Sequence, residues 1–102
     1  MIILNTTFIL ERTLHDEVIS WLNEVYLRAA LQTGFFEHPR LAQVLTNEDP
    51  GQISIACELQ CDSLSEAVRW HDETAVMLRS DMSRRWNERV LCFTTYLKII
   101  NS

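Results

Sequence analysis

The chain has few residues that interrupt regular structure: two glycines and two prolines in 102 positions. With 47% hydrophobic and 23% charged residues, its composition is that of an ordinary soluble globular protein and excludes a disordered tail. No apolar run approaches the roughly 20 residues that a membrane-spanning helix needs. The opening Met1-Ile2-Ile3-Leu4-Asn5-Thr6 lacks the positive start and long apolar stretch of a secretion signal, so a cytoplasmic protein without a membrane partner is expected. A glycine-rich phosphate loop, a serine nucleophile elbow, His-Glu-x-x-His and Cys-x-x-Cys are all missing. No cofactor and no metal is therefore assigned.

Positive charge is also scarce. The net charge of -5 argues against a nucleic-acid partner, and the densest basic cluster, Arg79, Arg84, Arg85 and Arg89, is interrupted by Asp81 and Glu88. Three cysteines, an odd number, suit a reducing compartment better than a disulfide framework. Cys57 and Cys61 lie four residues apart on one expected strand, about 13 Å at about 3.3 Å per residue, too far to bridge each other or share a metal. Cys92 remains a possible cross-strand neighbour of one of them, and all three read as buried, inert thiols.

What is present is strong periodicity. Ile53, Ile55, Cys57, Leu59 and Cys61 alternate with Ser54, Ala56, Glu58 and Gln60, the pattern of a strand with one buried face in an antiparallel sheet. Ile2 to Glu11 reads as a first strand with its even positions toward the core. Within Leu14 to Thr33, Leu14, Val18, Trp21, Leu22, Val25 and Ala29 form a helical stripe, widened by Ile19, Tyr26 and Ala30. Thr13 is expected to cap this helix, with Asp16 and Glu17 in the first turn, and Gly34 to end it. Pro39 to Asn47 is a weaker strand, suited to a sheet edge because Leu41, Val44 and Leu45 keep no common parity. Glu48-Asp49-Pro50-Gly51 is turn chemistry, proline presetting φ and glycine tolerating positive φ.

Ser63-Leu64-Ser65-Glu66 fits a capping box, so a second helix begins near Leu64. Its sheet-facing stripe is read as Leu64, Ala67, Val68, His71, Ala75, Leu78, Met82 and Trp86, leaving Trp70 and Met77 off it. A last strand from Val90 to Ile100 places Leu91, Phe93, Leu97 and Ile99 on the core face and Cys92, Thr94, Tyr96 and Lys98 on the other. Strand, helix, strand, strand, helix, strand is the order of a ferredoxin-like α+β fold: one domain over residues 1–102, a four-stranded antiparallel sheet with two helices on one face.

Chemistry is sparse. His15-Asp16-Glu17 and His71-Asp72-Glu73 repeat once per helix, but consecutive helical residues point in different directions and cannot converge on one ion. His71, between the small Ala67 and Ala75, reads as a core histidine held by one hydrogen bond, against a role as ligand, acid or base. Trp21, Trp70 and Trp86 read first as packing residues. Ile9, Ala56, Cys92 and Tyr96 on the open sheet face, with Trp70 and Met77 on the helix, are the candidate surface of a homodimer.

The segments Ile2-Ile3-Leu4-Asn5-Thr6-Thr7, Trp21-Leu22-Asn23-Glu24-Val25-Tyr26 and Val90-Leu91-Cys92-Phe93-Thr94-Thr95 resemble a family of short bacterial domains of unknown function. That family is similar in build to dimeric α+β barrel proteins, and the resemblance implies two sheets packed face to face and no established activity. The wider superfamily contains small monooxygenases, including haem degraders, that use an asparagine on the first strand, a tryptophan late in the third and a histidine on the second helix. Asn5 matches the first, Leu59, Gln60 or Cys61 stands at the second, and His71 comes early for the third. Two readings result: a noncatalytic interaction or ligand-binding module, small-molecule ligand unidentified, or a small monooxygenase-type enzyme. An enzyme should show a cavity walled by His71, whereas a structural dimer should fill that space with Trp21, Phe8, Phe93 and Leu78.

Overall fold

The computed structural model describes residues 1–46 and 49–101. Four strands, β1 (Ile2–Glu11), β2 (Glu37–Gln43), β3 (Gln52–Cys61) and β4 (Val90–Lys98), form one antiparallel sheet in the order β2-β3-β1-β4. Two helical rods cover one face, which is the ferredoxin-like arrangement. Leu4, Phe8 and Leu10 of β1 and the odd positions of β3 are buried under the rods, as their alternation demands. β2 is an edge strand, bulged between Glu37 and Arg40, with His38 at φ 53 beside Pro39. Of the expected turn and strand end, Asn47 and Glu48 lie outside the described residues. Asp49 Oδ1 accepts the Gly51 N–H at 2.8 Å, and Gly51 does not take the expected positive φ.

Each rod contains an interruption that a uniform 100° pitch does not anticipate. The first runs from a 3₁₀ turn, Arg12–Leu14, through α1 (His15–Trp21), a π-helical segment Leu22–Tyr26 and α2 (Leu27–Leu31). The second comprises α3 (Leu64–Arg69), a π segment Trp70–Thr74 and α4 (Ala75–Trp86). In the π segments the N–H of Leu27 donates to the Leu22 carbonyl and that of Ala75 to the Trp70 carbonyl, five residues back rather than four. The extra residue moves the buried face by one position. After the first π segment the core takes Tyr26, Leu27 and Ala30 in place of Val25 and Ala29. In the second rod Ala67 and Trp70, not Val68 and His71, share the buried face with Ala75, Met82 and Trp86. Trp70 is thus a core residue, which corrects its assignment to a partner surface.

The expected Thr13 cap is not formed, because the 3₁₀ turn carries the chain into α1 without a side-chain cap. Ser63 does cap α3, its Oγ accepting the Glu66 N–H at 3.3 Å, and Gly34 closes the first rod at φ 85. Two indole bonds tie the rods together: Trp21 Nε1 donates to Asp81 at 2.9 Å and Trp86 Nε1 to Glu17 at 3.2 Å. The Trp21 indole, with Arg85 beside it, holds the Asp81 carboxyl below its usual range. Beneath them Phe8, Trp21, Tyr26, Trp70 and Phe36 meet through successive edge-to-face or tilted ring contacts.

Candidate functional site

The register of β4 decides what the molecule offers to others. Leu10 pairs with Val90, Phe8 with Cys92, Thr6 with Thr94 and Leu4 with Tyr96, so the even residues of β4 share the face of the buried side of β1. Thr6 and Thr94 share a hydroxyl hydrogen bond at 3.0 Å on that face, and the Tyr26 hydroxyl donates to Thr6 at 3.5 Å. Cys92 and Tyr96 therefore lie under the rods, contrary to their expected place on the open face. Leu91, Phe93 and Leu97, expected in the core, stand on the uncovered side and are 56%, 53% and 41% exposed.

The physical reason is parity. A strand's apolar set goes to whichever face its pairing dictates, and one residue of offset exchanges the faces. Here the offset is set by the chain leaving α4 through Asn87, at φ 50, and a 3₁₀ turn, Asn87–Arg89, that delivers Val90 into the core. Nothing in β4 itself carries that information.

On the open face, cross-strand rows run Leu91, Ile9, Ser54; Phe93, Thr7, Ala56, Ala42; Thr95, Asn5, Glu58, Arg40; and Leu97, Ile3, Gln60. Its β4–β1 half is mainly apolar. Its β3–β2 half is polar and carries the Arg40–Glu58 ion pair, with Arg40 Nε donating to Glu58 Oε1 at 3.1 Å. Ile9 and Ala56 belong to this face as expected. Met77 is 76% exposed on α4, away from it.

A second feature lies where the second rod overhangs the edge strand β4. An open cleft of about 400 Å³ is lined by Val68, His71, Asp72, Arg79, Cys92 and Tyr96 among others. The one-residue shift has moved His71 from the centre of the buried face to its flank, where its ring meets the Tyr96 ring edge-on at 6.1 Å. Its Nδ1 lies 3.0 Å from Asp72 Oδ1. Arg79 Nη2 donates to the His71 carbonyl at 2.9 Å, within the π segment, while its Nη1 is buried without a hydrogen-bond partner. Burial, opposed by Arg79, raises the Cys92 thiol above its ordinary value; burial and Asp72 likewise raise the Tyr96 hydroxyl. In the sequence Arg79 stands out only as part of an interrupted basic cluster.

Asn5 and His71 do not come together. Asn5 faces the open side, its Nδ2 donating to Thr7 at 3.5 Å, and the sheet separates it from His71. The centre between rods and sheet is filled by Phe8 and Trp21, with Leu78 packed at its border, while Phe93 lies on the far side of the sheet. The cleft walled by His71 is peripheral to that packed centre. Among the described residues no three His, Cys, Asp or Glu side chains are grouped to hold a metal ion. No helix of the described residues is long and apolar enough to cross a membrane.

Two solved structures share this architecture along the whole chain. One is the crystal structure of a dimeric ferredoxin-like protein from an uncultured marine organism, similar at 14% identity with a TM-score of 0.62 over 100% of this chain and 97% of that one. The other is the solution structure of a de novo designed protein with a ferredoxin fold, at 12% identity and a TM-score of 0.55, covering 100% and 89%. At such identities the likeness concerns the fold. No curated protein matches the sequence. A family model, by contrast, aligns with residues 1–100, from the first strand through the last, and by that match the chain belongs to DUF4286, a domain of unknown function.

Proposed function

We propose that this chain is a noncatalytic interaction module, a single cytoplasmic domain that works as a homodimer joined through the β4–β1 half of its open sheet face. The observation that carries the reading is the row of Leu91, Phe93 and Leu97, more than two-fifths exposed and backed by Ile3 and Ile9. Contiguous apolar side chains on an uncovered sheet are unfavourable in water and characteristic of a surface that another surface covers. A second copy is the occupant that fits. The face combines an apolar half with a polar border, the anatomy of an interface core and rim. Cα extents of 36 × 29 × 19 Å let the apolar half and its polar border together approach the roughly 800 Å² per partner of a standard interface. The marine ferredoxin-like protein of the same architecture is described as dimeric, which adds support.

Light scattering at micromolar concentration tests this directly. The wild type is expected at about twice the 11.9 kDa chain mass, and Phe93→Glu at the monomer mass with an unchanged circular dichroism spectrum. Tyr96→Glu, on the rod-covered side, is not expected to produce a folded monomer. A wild type that runs as a monomer at tens of micromolar would falsify the dimer.

A small monooxygenase-type enzyme is the second reading, favoured by the presence of His71 in a cleft wall. Against it stands the sheet between Asn5 and His71. Saturable haem binding by the wild type that His71→Ala abolishes, with melting unchanged, would promote it.

A further inference from the structure

We propose that the cleft between the second rod and β4 binds a small carboxylate with an apolar body, its carboxylate held by the Arg79 guanidinium. The inference does not rest on the dimer: the rod-side residues Val68, His71, Arg79, Cys92 and Tyr96 carry it, and Phe93, which also lines the cleft at the edge strand, is the one lining residue it shares with the open face.

Arg79 carries a permanent charge and five N–H donors. Among the described residues it forms no ion pair, and its one hydrogen bond, from Nη2, goes to the His71 carbonyl. That bond ties the guanidinium to the π segment; Nη1 is buried and unpartnered, and Arg79 lines the cleft. A buried donor of this kind, on a charged group, is unfavourable until an acceptor reaches it. None of the groups around it is hydrogen-bonded to Nη1. Asp72 lines the same cleft, but it is 63% exposed and held at 3.0 Å from His71 Nδ1. On β4, the Thr94 hydroxyl is engaged with Thr6, and Cys92 and Tyr96, neutral at ordinary pH and raised further by burial, offer no anionic acceptor.

The chemistry of the walls selects the ligand. A carboxylate oxygen makes a short, charge-assisted bond to a guanidinium N–H. A doubly charged phosphate suits the cleft less well, since one cation faces it and the Asp72 carboxylate stands at its border. Val68, Cys92 and the ring of Tyr96 provide apolar surface for the remainder of the molecule. A cleft of about 400 Å³ lies within the range of small-molecule sites.

The test is a ¹H–¹⁵N NMR titration of the full chain with benzoate, using benzamide as the neutral isostere. Benzoate is expected to give saturable shifts centred on His71, Arg79, Cys92 and Tyr96, with an affinity at least about tenfold above that of benzamide, the loss expected when a charge-assisted bond is removed. Arg79→Met, which retains the apolar stem, is expected to abolish the preference for benzoate. Val68→Trp leaves Arg79 in place and fills the cleft, so it is expected to weaken benzoate binding at least tenfold by roughly the same measure. Equal response to both probes, shifts centred elsewhere, or benzoate affinity retained in a well-dispersed Val68→Trp spectrum would each overturn the site. The last outcome decides the matter even if Arg79→Met fails to fold.

Discussion

Trp70 is the most deeply buried aromatic residue of the second rod. Its indole is 3% exposed and meets Tyr26 and Phe36 edge-on at 5.6 and 5.3 Å. Trp70→Ala is expected to lower unfolding free energy by about 3 to 5 kcal/mol, the range for truncating a buried aromatic. Met77, seven positions on and exposed, is expected to change it by less than about 0.5 kcal/mol on substitution by alanine. Urea denaturation of the two variants separates the core role from the surface one. Equal effects would contradict the one-residue shift imposed by the π segment.

Burial also shapes the alkaline response. Burial, reinforced by the Glu58 carboxylate, pushes the Cys57 thiol up from 9.0 to about 12, and burial raises the Tyr26 hydroxyl well above its ordinary 10.0. In the unfolded chain both lose their protons near their ordinary values, while the folded chain retains them. Above a pH of roughly 9 the unfolded state therefore binds fewer protons, and stability falls with rising pH. The contribution of these groups is complete below that point and declines progressively as pH rises toward about 12. Urea midpoints between pH 8 and 11 should fall, and fall less steeply in Cys57→Ala. A flat profile in the wild type would rule this account out.

At the scale of elements, the rods divide into a segment set locally and a segment set by the core. The start of α3 is local: Ser63 Oγ accepts the Glu66 N–H, and Ser63→Ala is expected to cost about 1 kcal/mol in thermal or urea unfolding. Rod phase is tertiary. Tyr26 and Trp70, one in each π segment, meet at 5.6 Å, so the two register shifts place two large aromatic rings in one layer over β1. The edges of the sheet differ as well. β2 is protected by Pro39, a bulge and exposed polar residues, whereas β4 is regular over nine residues.

For the whole molecule, the two faces of the sheet differ in what they carry. The rod side holds the aromatic layer and, at its periphery, the Arg79 cleft; the open side presents Leu91, Phe93 and Leu97. Covering that apolar row by a second copy should also make apparent stability depend on protein concentration. Urea midpoints of the wild type are expected to rise between 1 and 50 micromolar, quantities chosen to span roughly the affinity of an ordinary interface. Those of Phe93→Glu are expected to stay constant.

Much of this was legible in the residues themselves. Ile2–Glu11 forms the first strand with its even side buried, Ile53 to Cys61 alternates as read, and Ser63 starts the second rod. The element order is enough for the ferredoxin-like fold, because alternation, capping and helical repetition are interactions among neighbours in the chain. Three things depended on residues distant in sequence. The π segments coincide with aromatic packing between the rods, and a constant pitch misplaces Trp70 and centres His71. The face of β4 follows from its pairing with β1, whereas alternation alone sends Leu91 and Phe93 to the core and Cys92 and Tyr96 to the open side. Arg79 became a candidate ligand-binding group only when the π segment's carbonyl and the wall of β4 were brought to it. Periodicity determines that a strand or helix has two unlike faces, and only long-range pairing decides which of them is covered.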